Sequence, residues 1–357
     1  MEQTAKLHQA FRLNGKAYAY KDLKELGYNL VKEGESYEKD IGDFLLDWLS
    51  DSLTVQVYTS GSTGAPGRHL IKKQQMIQSA LASSAFFGLQ PGNTALLCLP
   101  AKYIGGKMML VRAMVLGLSL DYVKPSATPL KKKEARYDFC AMVPKQFLGS
   151  LEDITKVKRL IIGGAPLGKK AVEAAQPLDT EVFETFGMTE TISHFALRRI
   201  NPPEPVFRTL SGIKVGLDER GCLIVYAPAI AAVPLHTNDM ARLVSDTAFE
   251  WLGRYDNIIN SGGIKLVPEQ IEFKLQDVIN TRFFVTGLPD DILGEQLVLV
   301  VEGVPDTAGL LPVLRNLKAL TAYEIPKKVV SAPVFETTGS GKVNRTATLL
   351  KMGYYIP

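Results

Sequence analysis

Apolar positions along the chain keep two rhythms. Leu23, Leu26 and Leu30 recur at helical spacing, as do Ile41, Phe44, Leu45, Trp48 and Leu49, and they predict two helices in a short mixed opening over residues 1–53. From Val55 the rhythm shortens. Residues 55–58 read as a strand, followed by a polar glycine-rich loop and a helical stretch to about Phe87. Strand-length apolar runs at 95–99, 119–123, 139–143, 159–162 and 181–185 then alternate with helical stretches at 105–116, 145–151 and 167–175. That alternation predicts βα units and a largely parallel sheet.

Beyond Pro202 and Pro203 the texture becomes strand-rich, with Gly212, Gly216 and Gly221 marking turns. At Trp251, Leu252, Gly253 and Arg254 the character shifts again. The C-terminal stretch carries a helix at 268–276, strands at 282–287 and 296–302, another helix and a basic tail. The expected fold class is α/β. A large N-terminal domain, residues 1–254, would hold βα sheet layers and a strand-rich subdomain, and a small mobile α+β C-terminal domain would span residues 255–357.

Composition narrows the partners. The 357 residues hold 41 Lys and Arg against 37 Asp and Glu, a net charge of +4 that argues against a dedicated nucleic-acid binder. A chain of this length buries a large core without disulfides. Cys98, Cys140 and Cys222 are widely spaced and odd in number, so a reducing, cytoplasmic compartment is expected. Residues 1–15 are polar and lack the apolar core of a signal peptide. The longest apolar run, 108–120, is interrupted by Arg112 and is too short to span a bilayer, so membrane insertion is not expected.

The candidate chemistry begins in the loop after the 55–58 strand. Thr59, Ser60, Gly61, Ser62, Thr63 and Gly64 combine hydroxyls with glycines between a strand and a helix. Glycines let backbone N–H groups converge and hydroxyls add donors, a pattern suited to polyphosphate oxygens. It lacks the Gly-Lys-Ser/Thr of a Walker A loop, and on composition alone it also reads as a turn.

Further motifs succeed it in order. Gly163, Gly164, Ala165 and Pro166 form a small-residue loop, and Phe186, Gly187, Met188, Thr189, Glu190 and Thr191 join an aromatic residue to a polar turn. Thr237, Asn238 and Asp239 come next, then Gly253, Arg254, Tyr255 and Asp256, then Gly262 and Gly263 before a helix containing Pro268, Glu269 and Glu272. Gly339, Ser340, Gly341, Lys342, Val343, Asn344 and Arg345 close the series. These six motifs, in this order, resemble the adenylate-forming superfamily of acyl-CoA synthetases, luciferases and adenylation domains, over roughly residues 55–350.

The resemblance implies an ATP-dependent acid–thiol ligase using Mg²⁺ and coenzyme A. It assigns the 59–64 loop to the phosphates, Gly164, Ala165 and Pro166 to the adenine side, Phe186 and Gly187 to the nucleotide, Asp239 to the ribose hydroxyls, and Arg254 to the ribose or phosphate. Thr189 and Glu190 would serve the α-phosphate and Mg²⁺, and Glu190 is the hard oxygen ligand such an ion prefers. Lys342 would bridge the acid's carboxylate and the α-phosphate. Asp256 would be the hinge that afterwards brings Gly262 and Gly263 against the CoA arm. Two departures stand out. Gly67, with Arg68 next, occupies the family's usual lysine position, and the N-terminal region before the loop is short, which leaves the acyl pocket open or covered by another subunit in a homo-oligomer.

Pro100 to Gly106 with Met108 to Arg112 is similar to the pocket helix of the o-succinylbenzoate–CoA ligases of menaquinone synthesis, and Thr191 to His194 is similar to their continuation after the glutamate. A second substrate carboxylate needs a cationic or polar anchor, for which Lys102, Tyr103, Arg112 and His194 are candidates. Arg112 could equally snorkel to solvent, and His194 could be a satisfied core histidine. Three readings therefore stand side by side: a CoA ligase for an aromatic dicarboxylate, an adenylating enzyme for another acid or for a carrier-protein thiol, and a non-catalytic nucleotide-binding regulator.

Overall fold

The computed structural model describes residues 7–58, 67–131, 133–303, 307–338 and 343–354. The chain opens with two short strands, β1 (Arg12–Leu13) and β2 (Lys16–Ala17), and the helices α1 (Tyr20–Glu33) and α2 (Ser36–Trp48). The helical spacing read from Leu23 and Ile41 onward is what the two helices bury. They pack closely because Gly27 and Gly42 face each other: a Cβ on Gly42 would stand 2.6 Å from the Gly27 carbonyl oxygen.

Next comes a hairpin of β3 (Thr54–Tyr58) and β4 (Arg68–Lys72), paired antiparallel and separate from the main sheet. This corrects the expectation that a helix comes directly after the glycine-rich loop. Residues 68–72 alternate an exposed Leu70 with a buried Ile71, a strand pattern too short to separate from the helix behind it. That helix, α3, runs Lys73–Phe87.

The βα alternation then runs as expected: β5 (Thr94–Leu97), α4 (Ile104–Leu116), β6 (Ser119–Tyr122), β7 (Tyr137–Met142), α5 (Pro144–Gly149), β8 (Val157–Ile162), α6 (Lys169–Ala175) and β9 (Glu181–Met188). β6, β5, β7, β8 and β9 lie side by side, all parallel. Their apolar runs are continuous because both faces are covered. Ala95, Leu97, Phe139, Ala141 and Ile161 join the core under α2, α3 and α4, whereas Leu96, Cys98, Cys140, Met142, Leu160 and Ile162 join a second core with α5 and α6. α4 is buried on nearly every side, and the Lys107 ammonium lies 4.9 Å over the Phe44 ring of α2.

After β9 the direction of pairing reverses. β10 (Ser193–Arg199) is antiparallel to β9, and β11 (Phe207–Thr209), β12 (Lys214–Leu217), β13 (Cys222–Tyr226), β14 (Leu235–Ser245) and β15 (Ala248–Arg254) extend the sheet to 13 strands. A second sheet of five strands begins just past β15. It contains β16 (Ile259–Ser261), β17 (Ile264–Leu266), β18 (Phe283–Asp290), β19 (Gly294–Glu302) and β20 (Lys328–Ala332), with α7 (Pro268–Leu275), α8 (Thr307–Arg315) and α9 (Arg345–Lys351). Among the described residues no helix is long and apolar enough to cross a membrane.

The α1–α2 contact can be checked by a single added methyl. Gly42→Ala forces its methyl against backbone and against the Leu30 Cβ, 2.9 Å away. It should destabilise the protein by about 1–3 kcal/mol, read as a lowered urea midpoint. An unchanged midpoint would contradict the packing described.

Candidate active site

In open α/β sheets ligands collect at the carboxyl ends of the strands, where the chain direction changes. Here that edge is formed by the loops after β5, β7, β8 and β9. The loop after β8 carries Gly163, Gly164, Ala165 and Pro166. Gly164 has φ +86°, and a Cβ on Gly163 would lie 2.2 Å from the Thr185 hydroxyl, so the loop hugs β9. Glu184 pins it: buried, it accepts the Leu167 N–H at 2.8 Å and pairs with Arg198 at 2.6 Å. Ala165 and Pro166 face solvent.

The turn from β9 to β10 holds the acidic motif. A Cβ on Gly187 would come within 2.1 Å of the Ser193 carbonyl oxygen, so only glycine lets the two strands approach there. Thr191 is buried; its oxygen accepts the Met188 N–H at 2.9 Å and its hydroxyl donates to the Ser193 carbonyl at 2.7 Å. Ile192 (φ +63°) and Ser193 (φ +140°) sit in conformations that side chains rarely adopt, a form of strain that concentrates at functional turns. The turn leaves Thr189 half-buried and Glu190 exposed. A single open carboxylate with no cluster of three metal-type ligands among the described residues fits Mg²⁺, which takes few protein oxygens and fills its shell with phosphate and water.

Behind the turn lies Arg112. Its guanidinium is 1% exposed, so the snorkelling alternative does not hold. Nη2 lies 3.4 Å from both the Ser193 hydroxyl and His194 Nδ1; among the described residues Nη1 meets only the Met109 sulfur, at 3.9 Å, and Nε has no partner. No carboxylate lies within 4.0 Å of it among the described residues. Burial brings its pKa down to about 10, so it stays cationic at neutral pH. His194 is buried as well, and burial, then the Arg112 charge, holds its imidazole well below the usual range. The other two acid-pocket candidates lie elsewhere: Lys102 is exposed, its charge acting on Asp40 of α2, and Tyr103 is the half-buried residue that opens α4.

A second group forms where β14 and β15 pair. Asp239 and Arg254 are direct cross-strand partners, with carboxylate and guanidinium 3.7 Å apart. The Trp251 indole N–H donates to Asp239 at 3.0 Å, and the Trp251 ring lies 6.4 Å from that of Phe186. Trp251 thus ties Phe186 to Asp239, a link that sequence reasoning missed. Burial raises the Asp239 carboxyl, against the pull of Arg254 and the indole. Arg254 itself is clamped by Asp256, Nε to Oδ1 at 2.9 Å and Nη2 to Oδ2 at 2.6 Å. Asn238, which stands where the family has glycine, accepts from Arg220 at 3.0 Å. Burial raises the Asp256 carboxyl, but Arg254 and Asn238 outweigh it and leave it below the usual range.

Beyond the clamp, Glu269 meets the Arg254 N–H at 3.4 Å and Arg345 at 3.8 Å. Gly262 and Gly263 make the exposed two-residue turn between β16 and β17, both at positive φ. Thr59, Ser60, Gly61, Ser62, Thr63, Gly64 and Lys342 lie outside the described residues. Contacts also cross from the start of α6 to the residues just past α7, where Lys169 pairs with Asp277 at 2.5 Å.

Comparisons with known proteins bear on the family and the fold. The family described as "AMP-binding enzyme" matches residues 14–217. The chain is 34% identical to a solved acyl-CoA synthetase (AMP-forming)/AMP-acid ligase II-like protein from Dyadobacter fermentans, covering 92% of this chain and 98% of that one at a TM-score of 0.61. It is 24% identical to a 2-succinylbenzoate–CoA ligase of Listeria monocytogenes over 93% of this chain and 74% of that one. The o-succinylbenzoate coenzyme A synthetase of Bacillus subtilis, solved with ATP and magnesium ion, shares the fold at a TM-score of 0.72 and 18% identity, over 91% of this chain and 81% of that one. The chain belongs to the AMP-binding enzyme family.

One acidic group gives a check that needs no substrate. Glu272 accepts from the Val285 N–H at 2.8 Å and from Arg345 at 3.0 Å, yet burial raises its pKa to about 7. The folded protein then holds an extra proton between the ordinary value and about 7, so this stabilisation is full at low pH and is lost as pH rises through about 7. The urea midpoint should fall between about pH 5 and about pH 8, and fall less in Glu272→Gln. Equal falls in both proteins would contradict the assignment.

Proposed function

We propose that the chain is an ATP-dependent acid–CoA ligase acting in two steps, and that its acid is an aromatic dicarboxylate of the o-succinylbenzoate type. The observation that carries the reading is Arg112. A buried guanidinium met only by long neutral contacts costs several kcal/mol unless an anion completes it. An acid with a second carboxylate supplies that anion. The names of the curated relatives support the same choice.

In the first step a carboxylate oxygen of the acid attacks the α-phosphorus of ATP, the bond to the β-phosphate oxygen breaks, and pyrophosphate leaves. Two anions must meet, so the protein's part is charge compensation and geometry. The 59–64 loop holds the β- and γ-phosphates, with Arg68 as its nearest following cation. Gly164, Ala165 and Pro166 bound the adenine, Phe186 and Gly187 border the nucleotide, Asp239 accepts from the ribose hydroxyls, and Arg254 donates from the other side. Thr189 donates toward the α-phosphate. Glu190 would hold Mg²⁺, which would supply neutralisation of the phosphate charge. Lys342 places its ammonium between the carboxylate and the α-phosphate, where a charge pair about 4 Å apart is worth about 4 kcal/mol at an effective dielectric near 20.

In the second step the CoA sulfur attacks the acyl carbon, the thiol proton is released and AMP leaves. The two steps ask for different neighbours. We assign residues 1–254 and 255–357 to two domains hinged at Asp256, the second presenting Lys342 first and the Gly262–Gly263 turn afterwards. A cytoplasmic enzyme of menaquinone synthesis fits this chemistry.

Incubation with ATP, magnesium, CoA and o-succinylbenzoate should release pyrophosphate and yield the thioester, identified by mass. Lys342→Ala should slow adenylate formation by about 10²–10³ while sparing thioester formation from preformed acyl-adenylate. Absence of both products from the unaltered protein would overturn the reading, and equal losses in both half-reactions would remove Lys342 from the role given it.

A further inference from the structure

The question left by Arg112 is what fixes a long side chain whose own contacts are weak. The answer lies on α3, outside every motif. The Ser83 hydroxyl donates to the Ser79 carbonyl one turn back, at 3.0 Å, a local bond that uses its only hydrogen. Its oxygen can then only accept, and His194 Nε2 lies 3.3 Å away, so Nε2 must carry the ring proton. The other end of the ring gives the same answer independently. Nδ1 faces Arg112 Nη2 at 3.4 Å, and a guanidinium only donates, so Nδ1 must present a lone pair. All three side chains are buried.

We infer that Ser83 and His194 form a relay that fixes the His194 tautomer and thereby positions Arg112 for the second carboxylate of the acid. The inference rests on the proposed function for the identity of that acid, but the relay itself is a property of the free protein. Ser83 and His194 are positioning residues: neither is asked to touch the reacting atoms. The arrangement gives polarity to the chain of bonds, from Arg112 through the ring to Ser83 and the Ser79 carbonyl. With Nη2 so occupied, the remaining guanidinium N–H groups are left for the anion, among them Nε, which has no partner among the described residues. A protonated His194 would set a second cation against Arg112, which burial and the Arg112 charge oppose.

Two measurements test the relay. Long-range ¹H–¹⁵N correlation spectra of the unliganded protein, with the His194 signals assigned through His194→Leu, should show a neutral ring protonated at Nε2, and Ser83→Ala should disturb that state. A ring protonated at Nδ1, or at both nitrogens, overturns the relay. In the second, pyrophosphate release is compared for o-succinylbenzoate and for 4-oxo-4-phenylbutanoate, which lacks only the ring carboxylate. Ser83→Ala should lower kcat/KM for the dicarboxylate about tenfold, the scale of one hydrogen bond to a charged group, and change the monocarboxylate's less than about twofold. Equal losses on both acids, or none on either, overturn the positioning role. If the unaltered protein uses neither acid, the proposed function falls and the spectra alone decide the relay; if it uses o-succinylbenzoate while the ring is protonated at Nδ1, the relay falls alone.

Discussion

Between β9 and β10 the main sheet passes from parallel to antiparallel pairing, and it does so through a turn with room for no side chain at Gly187. Everything proposed for the reacting centre hangs on that close approach. It carries Thr189 and Glu190 to the carboxyl edge of the parallel strands. It also brings Ser193 and His194 back beneath them, against Arg112. The positive φ angles of Ile192 and Ser193 are the local strain of holding both ends at once, supported by the buried Thr191 hydroxyl bonding inside the turn.

The second constraint is electrostatic. Arg112 is cationic, buried, and without a carboxylate partner among the described residues, a combination that proteins seldom keep unless an anion arrives. Its surroundings are hydroxyl, imidazole and thioether, all neutral. The side proposed for the nucleotide is built the opposite way, with charges already paired: Asp239 faces Arg254 and Trp251, and Arg254 is clamped by Asp256. On the proposed reading an acid meets an uncompensated charge, whereas a nucleotide meets a network whose partners must exchange. Because Arg254 is held by the residue proposed as the hinge, nucleotide contact and domain orientation share one ion pair.

The alternation of strands and helices, and with it the parallel half of the sheet, was legible because each buried run is continuous and bounded by turn residues. The residue types of the acidic turn, the Asp239 strand and the Arg254 junction were legible as motifs. What spacing could not reveal were partners far apart in the chain. Ser83 and His194 are 111 positions apart, and Arg112 and His194 are 82 apart; only the sheet order brings them together. Trp251 showed its presence beside Arg254 but not its bond to Asp239, since that depends on the register of β14 against β15. β4 escaped because five residues of mixed polarity directly before a helix carry no separate period.

The central claim is that the buried Arg112 guanidinium receives the acid's second carboxylate while the first is activated beside Glu190. A crystal structure of the protein with a stable adenylate analogue of o-succinylbenzoate tests it most directly. The account predicts the ring carboxylate at charge-assisted hydrogen-bond distance, about 2.7–2.9 Å, from the Arg112 nitrogens, with His194 still bonded to Ser83. A ring carboxylate left in solvent, or bound by another cation with Arg112 unmoved and unpartnered, would contradict it.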